Sequence, residues 1–345
     1  PDSAIDVIDE VAATKKLDLN SDGKKKKAIT ITQKDVETTV ATMANVPPKS
    51  ATKSDLTLLK SLEKNMQKRV YGQNGAITSV VQAIKVNRAG LGGEKKPIGS
   101  FLFTGPTGVG KTEVAKELAS QLGVHFERFD MSEYMEAHTI SRLIGAPAGY
   151  VGYENGGLLT EAIRKHPHCV LLLDEIEKAH PDLMSVLLQV MDNAELTDNS
   201  GNKADFQNVI LVMTSNLGSS EANVMGFAKD DGMNEGKAIK SFFAPEFRNR
   251  LDATVSFDSL SLDVVTKVVS KFISDLCAQI EDKKVDIVVS ARARKELARL
   301  GYDKTMGARP LSRVIANKIK TPLTDEILFG KLKNGGSVKI DFIKN

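Results

Sequence analysis

The chain of 345 residues has almost no excess of either charge: 47 lysines and arginines stand against 44 aspartates and glutamates, a formal net charge of +3. A protein that grips duplex nucleic acid normally concentrates basic residues on one face, so the composition disfavours nucleic acid as the partner. Cysteine is scarce as well. Cys169 and Cys277 are the only two, they lie far apart, and Cys169 adjoins an apolar run. That pattern reads as buried free thiols in a reducing, cytoplasmic compartment rather than as a disulfide or a metal site. No apolar run approaches the ~20 residues needed to cross a bilayer, and the first residues lack the basic stretch and apolar core of a secretory leader. A soluble protein without membrane partners is expected. An initiating methionine is missing too: the chain opens on Pro1 and enters a helical pattern directly, as an excised segment of a longer protein would. What is present is 41% apolar residues, which excludes disorder and at this length suits about two globular domains.

Periodicity divides the chain into residues 1–50, 51–257 and 258–345. In the first part Ile5, Ile8 and Val11 recur at helical spacing, the charged run 24–27 reads as a solvated loop, and Thr32 can cap a helix with Val36, Val40 and Met43 that Pro47 and Pro48 end. In the second, Ser54 caps a helix with Leu58, Leu59, Leu62 and Met66 on one face, and Ile77, Val81 and Ile84 mark another after a turn at Gly72. Short apolar runs at 100–104, 124–129, 169–173, 209–214 and 254–257 then alternate with helical stretches, the pattern of an α/β sheet covered on both faces. In the third part Ser261 caps a long helix with Val264, Val265, Val268, Phe272 and Leu276. Ser290 caps another that Gly301 closes, and Val338, Ile340 and Phe342 alternate with Lys339 and Asp341 as a half-exposed strand. A smaller, mainly helical α+β domain is expected there.

Gly105, Pro106, Thr107, Gly108, Val109, Gly110, Lys111 and Thr112 fit GxxxxGK[ST] between an apolar strand and a helical stretch, the context that makes this motif a phosphate-binding loop. Glycines let backbone N–H groups turn toward phosphate oxygens, and the helix N-terminus adds positive potential. Lys111 can reach the β- and γ-phosphates of ATP, and Thr112 can coordinate Mg²⁺. The run 170–173 leads into Asp174 and Glu175, two carboxylates at the C-terminal end of a buried strand, where open α/β sheets bind ligands. Asp174 there would hold the Mg²⁺ through its water shell, and Glu175 would orient and deprotonate the water that attacks the γ-phosphate. A competing reading has both acids capping the helical stretch that follows. Asn216 follows the run 209–214 and can bond the attacking water or the γ-phosphate, or simply make a turn. His166-Pro167-His168 lacks the spacing of a helical metal pair, so a structural role is expected.

These residues sit inside longer phrases: SFLFTGPTGVGKTE (100–113), RFDMSEYME (128–136), RLIGAPAGYVGYE (142–154), LLLDEIEKAHPD (171–182), EFRNRLD (246–252) and GARP (307–310). Together they resemble the AAA+ ATPases of the Clp class over nearly the whole chain, above all the second, C-terminal ATPase module of the ClpA type. The resemblance implies a P-loop AAA+ large domain with a central parallel sheet, then a smaller, mainly helical domain. It implies an ATPase that couples hydrolysis to protein unfolding and translocation in a homo-hexameric ring. It makes Asn216 the sensor of the γ-phosphate, Arg250 the arginine finger that serves a neighbouring subunit, and Arg309 a second sensor. Read alone, Arg250 would be a surface cation paired with Asp252. The resemblance also lays Val70 and Tyr71 over the adenine, with Ile315 closing the other side.

Tyr150 and Val151, between Gly149 and Gly152, resemble the loop that projects into the ring pore and grips unfolded or tagged substrate; read alone, Tyr150 would pack on its own domain. Met225-Gly226-Phe227, in the polar insertion 217–236, resembles the Ile-Gly-Leu or Ile-Gly-Phe tripeptide that docks on the ClpP peptidase, with Met in place of Ile. Met is flexible and of similar size, so docking is compatible with the change. Residues 1–46 resemble the end of a preceding ATPase module, and the family's N-terminal domain, which receives substrates or adaptors, has no counterpart here. A peptidase-independent disaggregase or remodelling chaperone would keep every ATPase motif without a working docking loop. A DNA-associated AAA+ protein would fit neither the near-neutral charge nor the GYVG phrase.

Overall fold

The computed structural model describes residues 2–21, 31–32, 35–36, 39, 53–93, 95–145, 156–217, 231–303 and 306–342. Short, almost uniformly apolar runs become strands β1 (Gly99–Thr104) and β3 (Cys169–Asp174), and the partly exposed HFERFD becomes β2 (His125–Asp130) beside β3. β4 (Glu195–Thr197) and β5 (Lys203–Asp205) make a separate antiparallel hairpin, and β6 (Val209–Thr214) and β7 (Ala253–Ser256) return to the main sheet. The five strands of that sheet run in the order β2-β3-β6-β1-β7, all parallel.

Period-two alternation distributes the central strands between two apolar layers. Phe101, Phe103, Val170, Leu172, Ile210 and Val212 face one layer, and Leu102, Leu171, Leu173, Leu211 and Met213 face the other. Helices Lys53–Arg69, Asn74–Val86 and Lys111–Leu122 cover the first face with Leu62, Met66, Ile77, Val81, Val114 and Leu118. Helices Leu158–Lys165 and Asp182–Asn193 cover the second with Leu159, Ile163, Leu187 and Val190. Each such side chain contributes about 1.5–3 kcal/mol on burial, and truncating Phe103, which packs on Phe257 at 5.0 Å between ring centroids, would cost about 3–5 kcal/mol.

The first face is also the floor for the C-terminal part. Ser261 accepts a hydrogen bond from the Val264 N–H at 3.4 Å and opens the helix Leu262–Gln279, whose Val265, Val269 and Ile273 join the same core. β8 (Val285–Val289) follows, with its alternate residues buried. Ser290 caps the helix Ala291–Gly301 by accepting from the Ala293 N–H at 3.1 Å. A helical run from Leu311 to Leu328 leads to β9 (Gly336–Ile340), which pairs parallel to β8.

Several sequence boundaries move by a residue or two. The helix with Leu62 and Met66 starts at Lys53, so Ser54 is its second residue and not its cap. β2 begins and ends one residue later than its apolar run, and β7 one residue earlier. Pairing with the neighbouring strand, for example Asp130 beside Asp174, sets where a strand ends. Among the described residues no helix is long and apolar enough to cross a membrane, and both cysteines are free thiols. Burial pushes the Cys169 thiol up to about 12.

Candidate active site

The phosphate-loop sequence connects the C-terminal end of β1 to the helix Lys111–Leu122, whose N-cap is Gly110 in a left-handed conformation. Lys111 is 8% exposed. Its ammonium donates to the carbonyls of Gly105 (2.5 Å) and Pro106 (2.9 Å) and to Asn216 Oδ1 (2.7 Å). The same loop meets the C-terminal part, where the Ala308 N–H donates to the Gly108 carbonyl at 3.1 Å.

Asp174 and Glu175 stand at the end of β3, and Thr214 and Asn216 at the end of the adjacent β6. Thr214 joins the two carboxylate residues: its hydroxyl donates to Asp174 Oδ1 at 2.5 Å and accepts from the Glu175 N–H at 3.0 Å. Arg128, on β2, reaches Asp174 Oδ2 at 2.8 Å and Asp130 at 3.4 Å. Burial favours the protonated form of Asp130, yet the Ser132 hydroxyl and N–H and the Arg128 charge hold its pKa below the usual value. Glu175 sits at φ 57°, ψ 52°, a left-handed conformation that costs a non-glycine residue about 1–3 kcal/mol and clusters at functional positions. Its carboxylate pairs with Lys178 at 2.5 Å, which raises the Lys178 pKa, and accepts from Asn216 Nδ2 at 3.4 Å. The Asn216 N–H in turn donates to Glu177 Oε1 at 3.0 Å.

These groups open on one cavity of about 550 Å³. Thr107 to Thr112, Arg128, Asp174, Glu175 and Asn216 line it, as does Arg309 from the turn after Gly307. Val70, Tyr71, Leu260, Val268 and Phe272 are apolar or aromatic members of the same lining. Ile315 is instead buried in the core at 2% exposure and lies outside that lining. Lys271 of that helix donates to Glu113 Oε1 at 2.6 Å and to the Arg69 carbonyl at 3.1 Å, tying the C-terminal part to the helix after the phosphate loop.

Arg250 lies outside the cavity lining. Its Nε donates to both Asp192 oxygens at 2.6 Å, and its remaining nitrogens engage the Glu246 carbonyl at 3.0 Å and carboxylate at 3.2 Å. The hydrogen bonds to Asp192, with the Asp192 and Glu246 charges, raise its pKa. Asp252, its expected partner, accepts instead from the Ser100 N–H at 2.7 Å. Tyr150, Val151, Met225, Gly226 and Phe227 lie outside the described residues. Sequence reasoning missed Arg128, Thr214 and Lys178. Arg128 and Thr214 show no motif spacing to the carboxylates because strand pairing, not chain proximity, brings them together.

Residues 96–254 match the AAA domain (Cdc48 subfamily), and residues 260–340 match the C-terminal D2-small domain of ClpB protein. A ClpA homolog protein of Fuscovulum blasticum is 53% identical over 343 residues, covering 99% of this chain and 43% of that protein. Chaperone protein ClpB 1 of Parasynechococcus marenigrum is 44% identical over 90% of this chain and 37% of its own length. The ATP-dependent Clp protease ATP-binding subunit ClpC of Staphylococcus epidermidis is 41% identical over 90% of this chain and 40% of its own. The chain thus spans about two-fifths of the curated relatives it matches. Hsp104, solved by cryo-EM in a closed state with ATPγS and FITC casein, superposes with a TM-score of 0.78 at 35% identity, over 95% of this chain and 57% of that one. An AAA domain followed directly by a D2-small domain, with relatives of the ClpA, ClpB and ClpC types, places the chain among the Clp-class AAA+ ATPases, as a module of the second, D2 type.

Proposed function

We propose that this module hydrolyses ATP to unfold protein and thread it through the pore of a homo-hexameric ring, and that it delivers the chain to a ClpP-type peptidase. The observation that carries the hydrolytic part is the convergence of Lys111, Asp174, Glu175, Asn216 and Arg309 on one cavity behind the phosphate loop. Unfolding is supported by the GYVG phrase and by the casein named with the Hsp104 structure. Residues 51–257 would form the large ATPase domain and 258–345 the small one, with 1–50 a linker and the remnant of a preceding module.

In this mechanism Lys111 leaves its loop carbonyls for the β- and γ-phosphates, and backbone N–H groups of residues 105 to 112 bind the phosphate oxygens. Val70 and Tyr71 cover the base. The Thr112 hydroxyl and the Asp174 carboxylate are hard oxygen donors of the kind Mg²⁺ takes together with water and phosphate. A Mg²⁺ ion there would neutralise charge developing on the phosphates. Arg128 and Thr214 fix the Asp174 oxygens from two sides. Glu175 orients the attacking water and accepts its proton, and Asn216 hydrogen-bonds the water or the γ-phosphate. Arg309 adds charge from the small domain. Arg250, held outside its own cavity by Asp192 and Glu246, serves the neighbouring subunit, so each site needs two subunits. Tyr150 and Val151 grip the substrate chain.

Subunit mixing tests the shared site. Arg250→Ala should slow hydrolysis by about 10³ to 10⁵, and Glu175→Gln should silence its own site. Mixed in one ring, the two should recover part of the activity, since some sites then combine an intact Glu175 with an intact Arg250. No recovery at any mixing ratio would count against action in trans.

A second reading is a disaggregase that works without a peptidase, favoured by the ClpB relatives. Changing Met225, Gly226 and Phe227 to alanines separates the two. Loss of peptidase-dependent degradation with ATPase retained would support docking, and unchanged degradation would refute it.

A further inference from the structure

The described ends of segment 146–155 meet at one turn. Gly145 follows the helix Ala137–Ile144, and Gly157 precedes the helix Leu158–Lys165. A Cβ added to Gly157 would stand 2.8 Å from the Ile144 carbonyl carbon and 3.0 Å from the Gly145 nitrogen, so the two ends touch as only a glycine permits. Both ends are bonded to the turn between β4 and β5. Asn199 Nδ2 donates to the Gly145 carbonyl at 2.6 Å, and the Asn199 N–H to that of Ile144 at 3.4 Å. Asp198 Oδ2 accepts from the Gly157 N–H (3.1 Å), the Thr160 hydroxyl (2.9 Å) and Asn202 Nδ2 (3.1 Å). Its Oδ1 accepts from the N–H groups of Ser200 (3.0 Å) and Asn202 (2.8 Å).

A carboxylate this deep, at 6% exposure, persists only when its oxygens are satisfied. Burial alone would raise its pKa, but the donors on Gly157, Asn202 and Thr160 outweigh burial and hold it below the usual value. Asp198 is therefore ionised at neutral pH, and its hydrogen bonds are charge-assisted, roughly twice as strong as neutral ones. The bonds to Ser200 and Asn202 are those of an ordinary Asx turn and would suffice for the hairpin. The bonds to Gly157, Thr160 and Gly145 span 41, 38 and 54 residues of sequence and add nothing the hairpin needs. They act on the two ends of the segment instead. The hairpin then runs through buried Phe206 into β6, whose far end carries Thr214 and Asn216.

We propose that Asp198 and Asn199 are positioning residues: they tie Gly145 and Gly157, which flank segment 146–155, to the β4–β5 hairpin, and the coupling of hydrolysis to the grip proposed for Tyr150 and Val151 depends on that tie. The inference rests on the pore reading of Tyr150. Neither residue lines the cavity at the phosphate loop, so the effect of losing them is a loss of coupling, meaning unfolding events per ATP hydrolysed.

The test compares Asn199→Ala, Asp198→Asn and Tyr150→Ala in the full natural chain, assembled as rings. A fluorescent β-barrel protein with an unstructured tail serves as probe, and ATP turnover is measured in the same reaction. Asn199→Ala and Asp198→Asn should lower unfolding per ATP at least fivefold, as Tyr150→Ala should, and hydrogen exchange at the Gly157 amide should accelerate in Asp198→Asn. A purely structural role would lower ATP turnover and unfolding together and leave their ratio unchanged, which would overturn the proposal. Should Asp198→Asn fail to fold, Asn199→Ala, which removes only the tie to Gly145, decides alone. Parent-level coupling in Asn199→Ala beside a dead Tyr150→Ala would refute the anchor and leave the pore reading standing. Normal unfolding by Tyr150→Ala would refute both.

Discussion

Gly108 of the phosphate loop and Gly307 of the small-domain turn lie back to back, each in a left-handed conformation and each with space for hydrogen alone. A Cβ on Gly307 would come within 2.6 Å of the Thr107 carbonyl oxygen and 2.8 Å of the Gly108 carbonyl. The adjoining Ala308 N–H then donates to the Gly108 oxygen, so the loop that would hold phosphate is shaped partly by the small domain. Gly307→Ala should separate the two by several tenths of an ångström, weaken ATP binding by about tenfold or more, and cost about 1–3 kcal/mol of stability. Nucleotide titration and thermal unfolding of the same sample check both.

Lys111→Ala should abolish nucleotide binding, because the group meant for the β- and γ-phosphates is removed. Glu175→Gln keeps shape and hydrogen bonding but cannot take a proton, so it should retain ATP and lose turnover by about 10² to 10⁴. Equilibrium binding and single-turnover hydrolysis distinguish the two phenotypes.

Thr214→Val removes the hydroxyl that clasps Asp174 and the Glu175 N–H while keeping nearly the same volume. Turnover should fall about 10- to 100-fold, the usual cost of losing a partner that orients a ligand group, with ATP affinity little changed. Thr214→Ser should restore most of it. Parent-level turnover in Thr214→Val would show that the hydroxyl does not matter.

His168 is 7% exposed, and among the described residues neither of its ring nitrogens has a hydrogen-bond partner. Burial, reinforced by the Arg88 charge and opposed by Asp205, lowers its pKa to about 4. Its folded value lies below the ~6.5 of an unfolded histidine, so the unfolded chain binds the extra proton first. Stability should therefore be unaffected above pH ~6.5, fall as the pH drops from there to about 4, and level off below. His168→Leu should flatten that part of the stability curve, measured by denaturant unfolding across the range.

Much of the fold was legible in the sequence because the signals were local. The strand–glycine loop–helix order marked the phosphate loop, the runs at 169–173 and 209–214 marked β3 and β6, and Ser261 and Ser290 cap the helices they precede. What escaped was relational. Arg128 belongs to the site because β2 pairs with β3, and Thr214 because β6 does. The β4–β5 hairpin has three-residue strands with a single buried side chain each, Leu196 and Ala204, too short for period-two alternation to register. β8 was obscured because Val288, on its solvent side, is apolar at 47% exposure.

Threading is tested most directly by ATP turnover and loss of fluorescence, followed together with the folded, tailed β-barrel probe, in the parent ring and in Tyr150→Ala. The parent should extinguish the fluorescence only while ATP is hydrolysed, and Tyr150→Ala should hydrolyse ATP at a comparable rate and leave the probe folded. Unfolding of the probe by Tyr150→Ala at the parent rate would contradict the threading mechanism.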